Sequence, residues 1–194
     1  MAGSLIKNPG GGLCPSGGYI CGRRDLIENC ASRIYSPGLS KEVGSSTADK
    51  RLLYQGLFMA PHTVEQSLKG AVFIAAVLES MGFSTSPSFD EKRGDIIQLV
   101  KFSTKDQLTS FCEGVQKGSP IDSNVKPVPW DMPGYEDQVI MAAGTFVQGA
   151  SIEFSADAPI REPYIAYMQG GLVYSQVKLG LFLALQTMKN NEII

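Results

Sequence analysis

A helix that is apolar on most of its faces cannot lie on a surface, and residues 63–81 (TVEQSLKGAVFIAAVLESM) predict one. Such a helix needs cover, so the chain around it must build a core. Thr63, with Gln66 three residues later, fits a capping box at its start, and Gly82 suits a stop at its end. Residues 95–102 read as a strand, and 104–117 as a helix with Leu108, Phe111, Cys112 and Val115 on one face. Residues 139–146, 151–155 and 164–168 read as three strands and 173–188 as a closing helix. Strand, helix, three strands, helix predicts a small α+β domain with an antiparallel or mixed sheet.

Composition shifts at 84–94, a Ser/Pro/charged stretch, and this places a domain boundary between 1–85 and 86–194. Before it, residues 19–21 form a short apolar run between glycines, predicted to be a buried strand, and 24–34 have helical spacing. Ser36, Pro37 and Gly38 break that helix; 39–47 is a polar loop, and 48–59 is a weaker helical stretch. The loop 118–137, rich in proline and glycine, carries the single tryptophan, Trp130. Long loops in compact domains are often functional. Trp130, Asp131, Gly134 and Tyr135 therefore line an active site or a dimer interface, or only pack on the surface.

The composition excludes several classes. A formal net charge of -2 gives no basic excess for nucleic acid or an anionic membrane. The uncharged helical stretches at 70–78 and 179–188 are too short to span a bilayer, and the start lacks the features of a signal peptide. Cys14, Cys21, Cys30 and Cys112 show no CxxC spacing, so neither a zinc site nor a disulfide framework is predicted. The compartment implied is the cytoplasm or another reducing intracellular space. His62 is the only histidine, so any histidine-based mechanism would run through it; its place before the capping box is an ordinary structural one.

The strongest chemical signal is the segment SLIKNPGGG, residues 4–12. Ser4 stands three residues before Lys7, and glycines follow. The S-x-x-K spacing also occurs in serine β-lactamases, but their S-D-N and K-T-G elements are absent. The glycines match neither G-x-G-x-x-G nor a P-loop. By spacing alone Lys7 is either a cofactor lysine or an exposed lysine in a turn. The sequence opens directly on this segment, which leads us to expect that Met1 is an internal methionine of a longer chain.

Three long strings carry a resemblance: GSLIKNPGGGLCPSGGYICGRRDLIENCASRIYSPGLSKEVG, RLLYQGLFMAPHTVEQSLKGA, and SPIDSNVKPVPWDMPGYEDQVIMAAGTFVQGASIEFSADAPIREPYIAYMQGGL. With them the chain resembles the C-terminal half of the aluminium-resistance, or methionine γ-lyase-like, proteins. These are fold-type-I enzymes dependent on pyridoxal 5'-phosphate (PLP). The resemblance implies an α/β fold, with the end of the PLP-binding large domain in 1–85 and the small α+β C-terminal domain in 86–194. It implies Lys7 as the Schiff-base lysine, Ser4 as a phosphate ligand, and Gly10 and Gly11 as backbone passing close to the cofactor. Arg161 would bind the substrate α-carboxylate; the alternative is a surface arginine, or one paired with Asp157 or Glu162. The implied activity is carbon–sulfur elimination on a sulfur-containing amino acid. The family's cofactor-stacking aromatic and pyridine-pairing aspartate precede the lysine and are not in this sequence. The chain is thus the lysine-bearing half of such an enzyme, a non-catalytic remnant, or one chain of a split enzyme. Its partners would be an amino-acid substrate and either a second copy or a missing N-terminal half.

Overall fold

In the computed structural model, which describes residues 1–35, 38–42, 50–142 and 152–194, the apolar run belongs to a longer helix than predicted. This helix, α2, spans Lys50–Ser80 with Pro61 inside it. Its unsatisfied first-turn N–H groups therefore lie near Lys50 and not at Thr63, so there is no capping box at 63–66. Thr63 is buried inside the helix, and its carbonyl accepts a hydrogen bond from the Ser67 hydroxyl at 3.0 Å. Gln66 serves a different helix. Its side-chain oxygen accepts the backbone N–H of Tyr174 at 2.8 Å. Tyr174 is the first residue of α4 (Tyr174–Asn190), whose own cap position, Val173, has no capping side chain. Gly82 stops α2 as predicted: it takes a φ of 87°, and the Phe83 N–H returns to the Leu78 carbonyl at 3.0 Å.

The described chain divides into two compact units, Met1–Pro61 and the residues from His62 onward. This partition differs from the one drawn by composition at 85/86, because Ile74 and Leu78 of α2 belong to the core of the second unit. The first unit holds a two-stranded antiparallel ribbon, β1 (Ala2–Ser4) with β2 (Gly18–Ile20), and α1 (Arg24–Ile34). The strand predicted at 19–21 is present as Gly18–Ile20 but is not buried: Ile20 is exposed.

The second unit is a five-stranded sheet, antiparallel throughout, in the order β3-β4-β7-β6-β5. Its strands are β3 (Ser84–Ser86), β4 (Gln98–Phe102), β5 (Val139–Ala142), β6 (Ser155–Pro159) and β7 (Tyr164–Gln169). One face packs on α3 (Lys105–Lys117), α4 and the second half of α2, around Phe102, Phe111, Ile140, Phe154 and Leu181. Two strand predictions need correction. The pairing strand is Ser155–Pro159 and not 151–155; its alternate alanines, Ala156 and Ala158, are the residues that fit under α3, and a small-residue strand with Asp157 carries little β signal. β3 lies inside the stretch read as a linker. Residues 36–37, 43–49 and 143–151, where parts of other predictions fall, lie outside the described residues.

Helix α3 begins at Lys105, one residue later than read, and Thr104 is its N-cap, with its side-chain oxygen accepting the Gln107 N–H at 3.2 Å. Thr104→Ala is expected to cost about 1 kcal/mol in urea unfolding, with the slope unchanged.

Candidate functional site

Ser4, Lys7, Gly10 and Gly11 all lie on one built loop of the first unit. The β1–β2 ribbon continues through a bond from the Leu5 N–H to the Gly17 carbonyl at 3.0 Å. The chain then turns. Lys7 has extended backbone and precedes a short 3-10 turn, Asn8–Gly10, closed by the Gly10 N–H on the Lys7 carbonyl at 2.9 Å. Gly10 is buried, and a Cβ there would fall 1.6 Å from the Leu5 carbonyl oxygen. Gly11 takes a φ of 60°, and its Cβ would meet the Gly56 carbonyl oxygen at 2.4 Å. Conversely, a Cβ on Gly56 would lie 2.2 Å from the Gly10 carbonyl oxygen. Glycine thus lets this loop press on the backbone of α2. Cys14 seals the contact: it is buried, and its Sγ donates to the Leu52 carbonyl at 3.6 Å. Burial pushes its thiol pKa up, so it is a packing residue and a poor nucleophile.

The result is a fixed backbone that presents an exposed lysine side chain. Ser4 Oγ accepts the Ile6 N–H at 3.3 Å, which leaves its hydroxyl hydrogen to donate elsewhere. The structure gives Gly10 and Gly11 a packing role, with their N–H groups engaged by Lys7 and Asn8 carbonyls. For a phosphate-bearing aldehyde cofactor, then, the residues that fit are the Lys7 amine and the Ser4 hydroxyl.

Arg161 lies in the second unit, in the turn from β6 to β7. It is exposed, and its Nη1 stands 3.5 Å from Asp137 Oδ2. Asp137, its ion-pair partner, belongs to the long loop. A shallow cavity of about 490 Å³ beside it is lined by Tyr135, Asp137, Asp157 and Tyr167. Trp130, on the same loop, is exposed and pairs with Val139 through two backbone bonds of 3.1 Å, extending the sheet edge. His62 is exposed, with Nδ1 4.0 Å from Glu65. All four cysteines are free, and among the described residues no group of three or more ligand side chains could hold a metal ion. No described helix is long and apolar enough to cross a membrane.

Two residues have roles that the sequence did not reveal. Gln66 was assigned to the wrong helix end. Arg93 sits in the charged stretch read as a linker, yet it is partly buried and its Nη2 donates to Gln98 Oε1. No local pattern marks either one.

An α/β chain, with two sheets and four helices among its described residues, thus presents one lysine on a glycine-packed loop. The sequence profile described as methionine gamma-lyase matches residues 1–189, and the chain belongs to that family. It is 55% identical, over its whole length, to 46% of the Bacillus subtilis protein YnbB, which is named as uncharacterized. Among solved structures it is similar to a carbon-sulfur lyase involved in aluminum resistance from Clostridium novyi NT, at 55% identity and a TM-score of 0.89, covering 96% of this chain and 44% of that one. A Listeria innocua structure, provisionally called a cystathionine beta-lyase involved in aluminum resistance, matches at 51% identity and a TM-score of 0.90 over 95% and 45% of the two chains. The chain therefore spans less than half the length of these relatives.

Proposed function

We propose that this chain is the lysine-bearing part of a fold-type-I, PLP-dependent lyase that cleaves a carbon–sulfur bond in an amino acid. The observation that carries the reading is the Lys7 loop, whose backbone is fixed by Gly10, Gly11, Gly56 and Cys14 while the lysine side chain stays exposed. The family name and the names of the similar structures share one chemistry, a carbon–sulfur bond. When bound, PLP supplies a ring that accepts electron density from the substrate Cα. Lys7 Nζ would hold the cofactor through its aldehyde carbon and then take the Cα proton. The Ser4 hydroxyl would donate to the phosphate.

A second reading is supported by the coverage of 44–46% of the relatives: the chain acts only when completed by further polypeptide, or by a second copy. Tyr54, Leu57 and Phe58, exposed together on α2, support such an association.

Adding PLP to the purified chain tests the reading. An absorbance band of protein-bound cofactor is expected, and Lys7→Ala should abolish it. An equal band in Lys7→Ala would remove Lys7 from the role.

A further inference from the structure

The first unit buries little apolar surface. Among the described residues its buried apolar side chains are Cys14, Ala31 and Ala60. In α1, Leu26, Ile27, Cys30, Ala31 and Ile34 recur at helical spacing, which suits a covered face. Yet Ala31 is the one buried residue of that helix, and Leu26 and Ile34 are 52% and 62% exposed. Ile27, Cys30, Ala31 and Ile34 line an open cavity of about 580 Å³ together with Leu5 and Ile20. The ribbon is unfinished at the same place. Met1 and Cys21 exchange both of their backbone bonds, at 2.9 and 2.8 Å. Antiparallel pairs alternate, so Ala2 and Ser4 on β1, and Gly18 and Ile20 on β2, turn their N–H and C=O groups away from the partner strand. No described strand pairs with either outer edge. Two paired strands of three residues are marginal by themselves.

We propose that this face takes an extended segment of another polypeptide. The segment pairs as a strand with an outer edge of the ribbon and places alternate apolar side chains in the cavity. The proposal rests on the reading that the chain is completed by further polypeptide, and gives that completion its place. The occupant is polypeptide of the kind the relatives carry, and not a second copy. More than half of YnbB, and of each similar structure, lies outside the part matched by this chain. Residues 1–61 carry seven basic and four acidic side chains, and Lys41 lines the cavity. A two-fold pair of copies would set this basic surface against itself. A strand flanked by acidic residues complements it.

The test is to co-express the 194-residue chain with a tagged polypeptide, the part of YnbB outside the match, and to recover the complex through the tag. A complex with one copy of each is expected. In it the amides of Ala2 and Ser4, or of Gly18 and Ile20, should exchange with solvent at least about tenfold more slowly than in the chain alone. Ile20→Asp and Ile34→Asp, at positions exposed in the chain alone, should each cut the recovered complex about tenfold or more, because they bury a charge in the filled cavity. A complex that both variants form as well as the parent, or one with all four amides unprotected, overturns the proposal and leaves the completion reading standing. A loss that follows Phe58→Asp instead moves the contact to α2, with the same consequence. No complex at all overturns both. Edge amides that become protected when the chain is concentrated by itself would make a second copy the occupant and overturn the proposal too. None of these measurements needs PLP, so the cofactor reading is tested separately.

Discussion

Gly114→Ala is expected to lower the stability of the second unit by about 3 kcal/mol, the upper part of the range for overpacking a core. A Cβ at Gly114 would stand 2.2 Å from the Ala184 Cα, 2.6 Å from the Leu183 carbonyl oxygen and 2.8 Å from the Ala184 nitrogen. All three are backbone atoms of α4, so no side-chain rotation relieves the clash; α3 and α4 must move apart. One turn on, a Cβ at Gly118 would lie 2.6 Å from the Gly180 Cα, so two small-residue contacts set the helix spacing. Separating the helices would also loosen Phe111, Val115, Leu181 and Ala184, all in the core. For a chain of 194 residues a loss of this size lowers the Tm by roughly 6–12 °C. Thermal and urea unfolding check it. Gly94→Ala, where nothing lies within 4 Å of the new Cβ, is the control and should change little. A Tm drop for Gly114→Ala no larger than the control's would show that the helix crossing is not set by this contact.

Gly10→Ala is expected to open the Lys7 loop. The Leu5 carbonyl, 1.6 Å from the new Cβ, is held by the neighbouring bond of Leu5 to Gly17, and Cys14 Cβ blocks the other side at 2.9 Å. The loop must leave α2 or the ribbon must break. Either event exposes the peptide bond after Lys7. Trypsin cleavage there should accelerate about 100-fold, equivalent to about 2.7 kcal/mol of lost local protection. Gly56→Ala attacks the same contact from the helix side, with its Cβ 2.2 Å from the Gly10 carbonyl oxygen. The two substitutions share one interface, so the double variant should be little worse than either single one. Additive effects would mean that the glycines act independently.

Where periodicity and local chemistry agreed, the sequence was legible. Helix α1 falls on its predicted bounds, α3 begins within one residue of its predicted start, and β7 lies where a β-rich run predicted it. What could not be read was decided between elements. Thr63 with Gln66 looked like a start, yet α2 continues through both, and Gln66 caps α4, 108 residues away. β6 was placed too early because alanines at 156 and 158 signal a strand only when a helix lies over them. At the candidate site the Ser4 and Lys7 pattern was visible, and the family resemblance gave it meaning. The packing role of Gly10 and Gly11 was not visible, because their partner, Gly56, is remote in sequence.

The central claim is that Lys7 is the cofactor lysine. Borohydride reduction of the PLP-loaded chain fixes the cofactor to whichever lysine holds it, and peptide mass spectrometry then locates it. The modification is expected on the peptide carrying Lys7 and not on Lys50, Lys69 or Lys101; stoichiometric modification of another lysine with Lys7 unmodified would contradict the assignment.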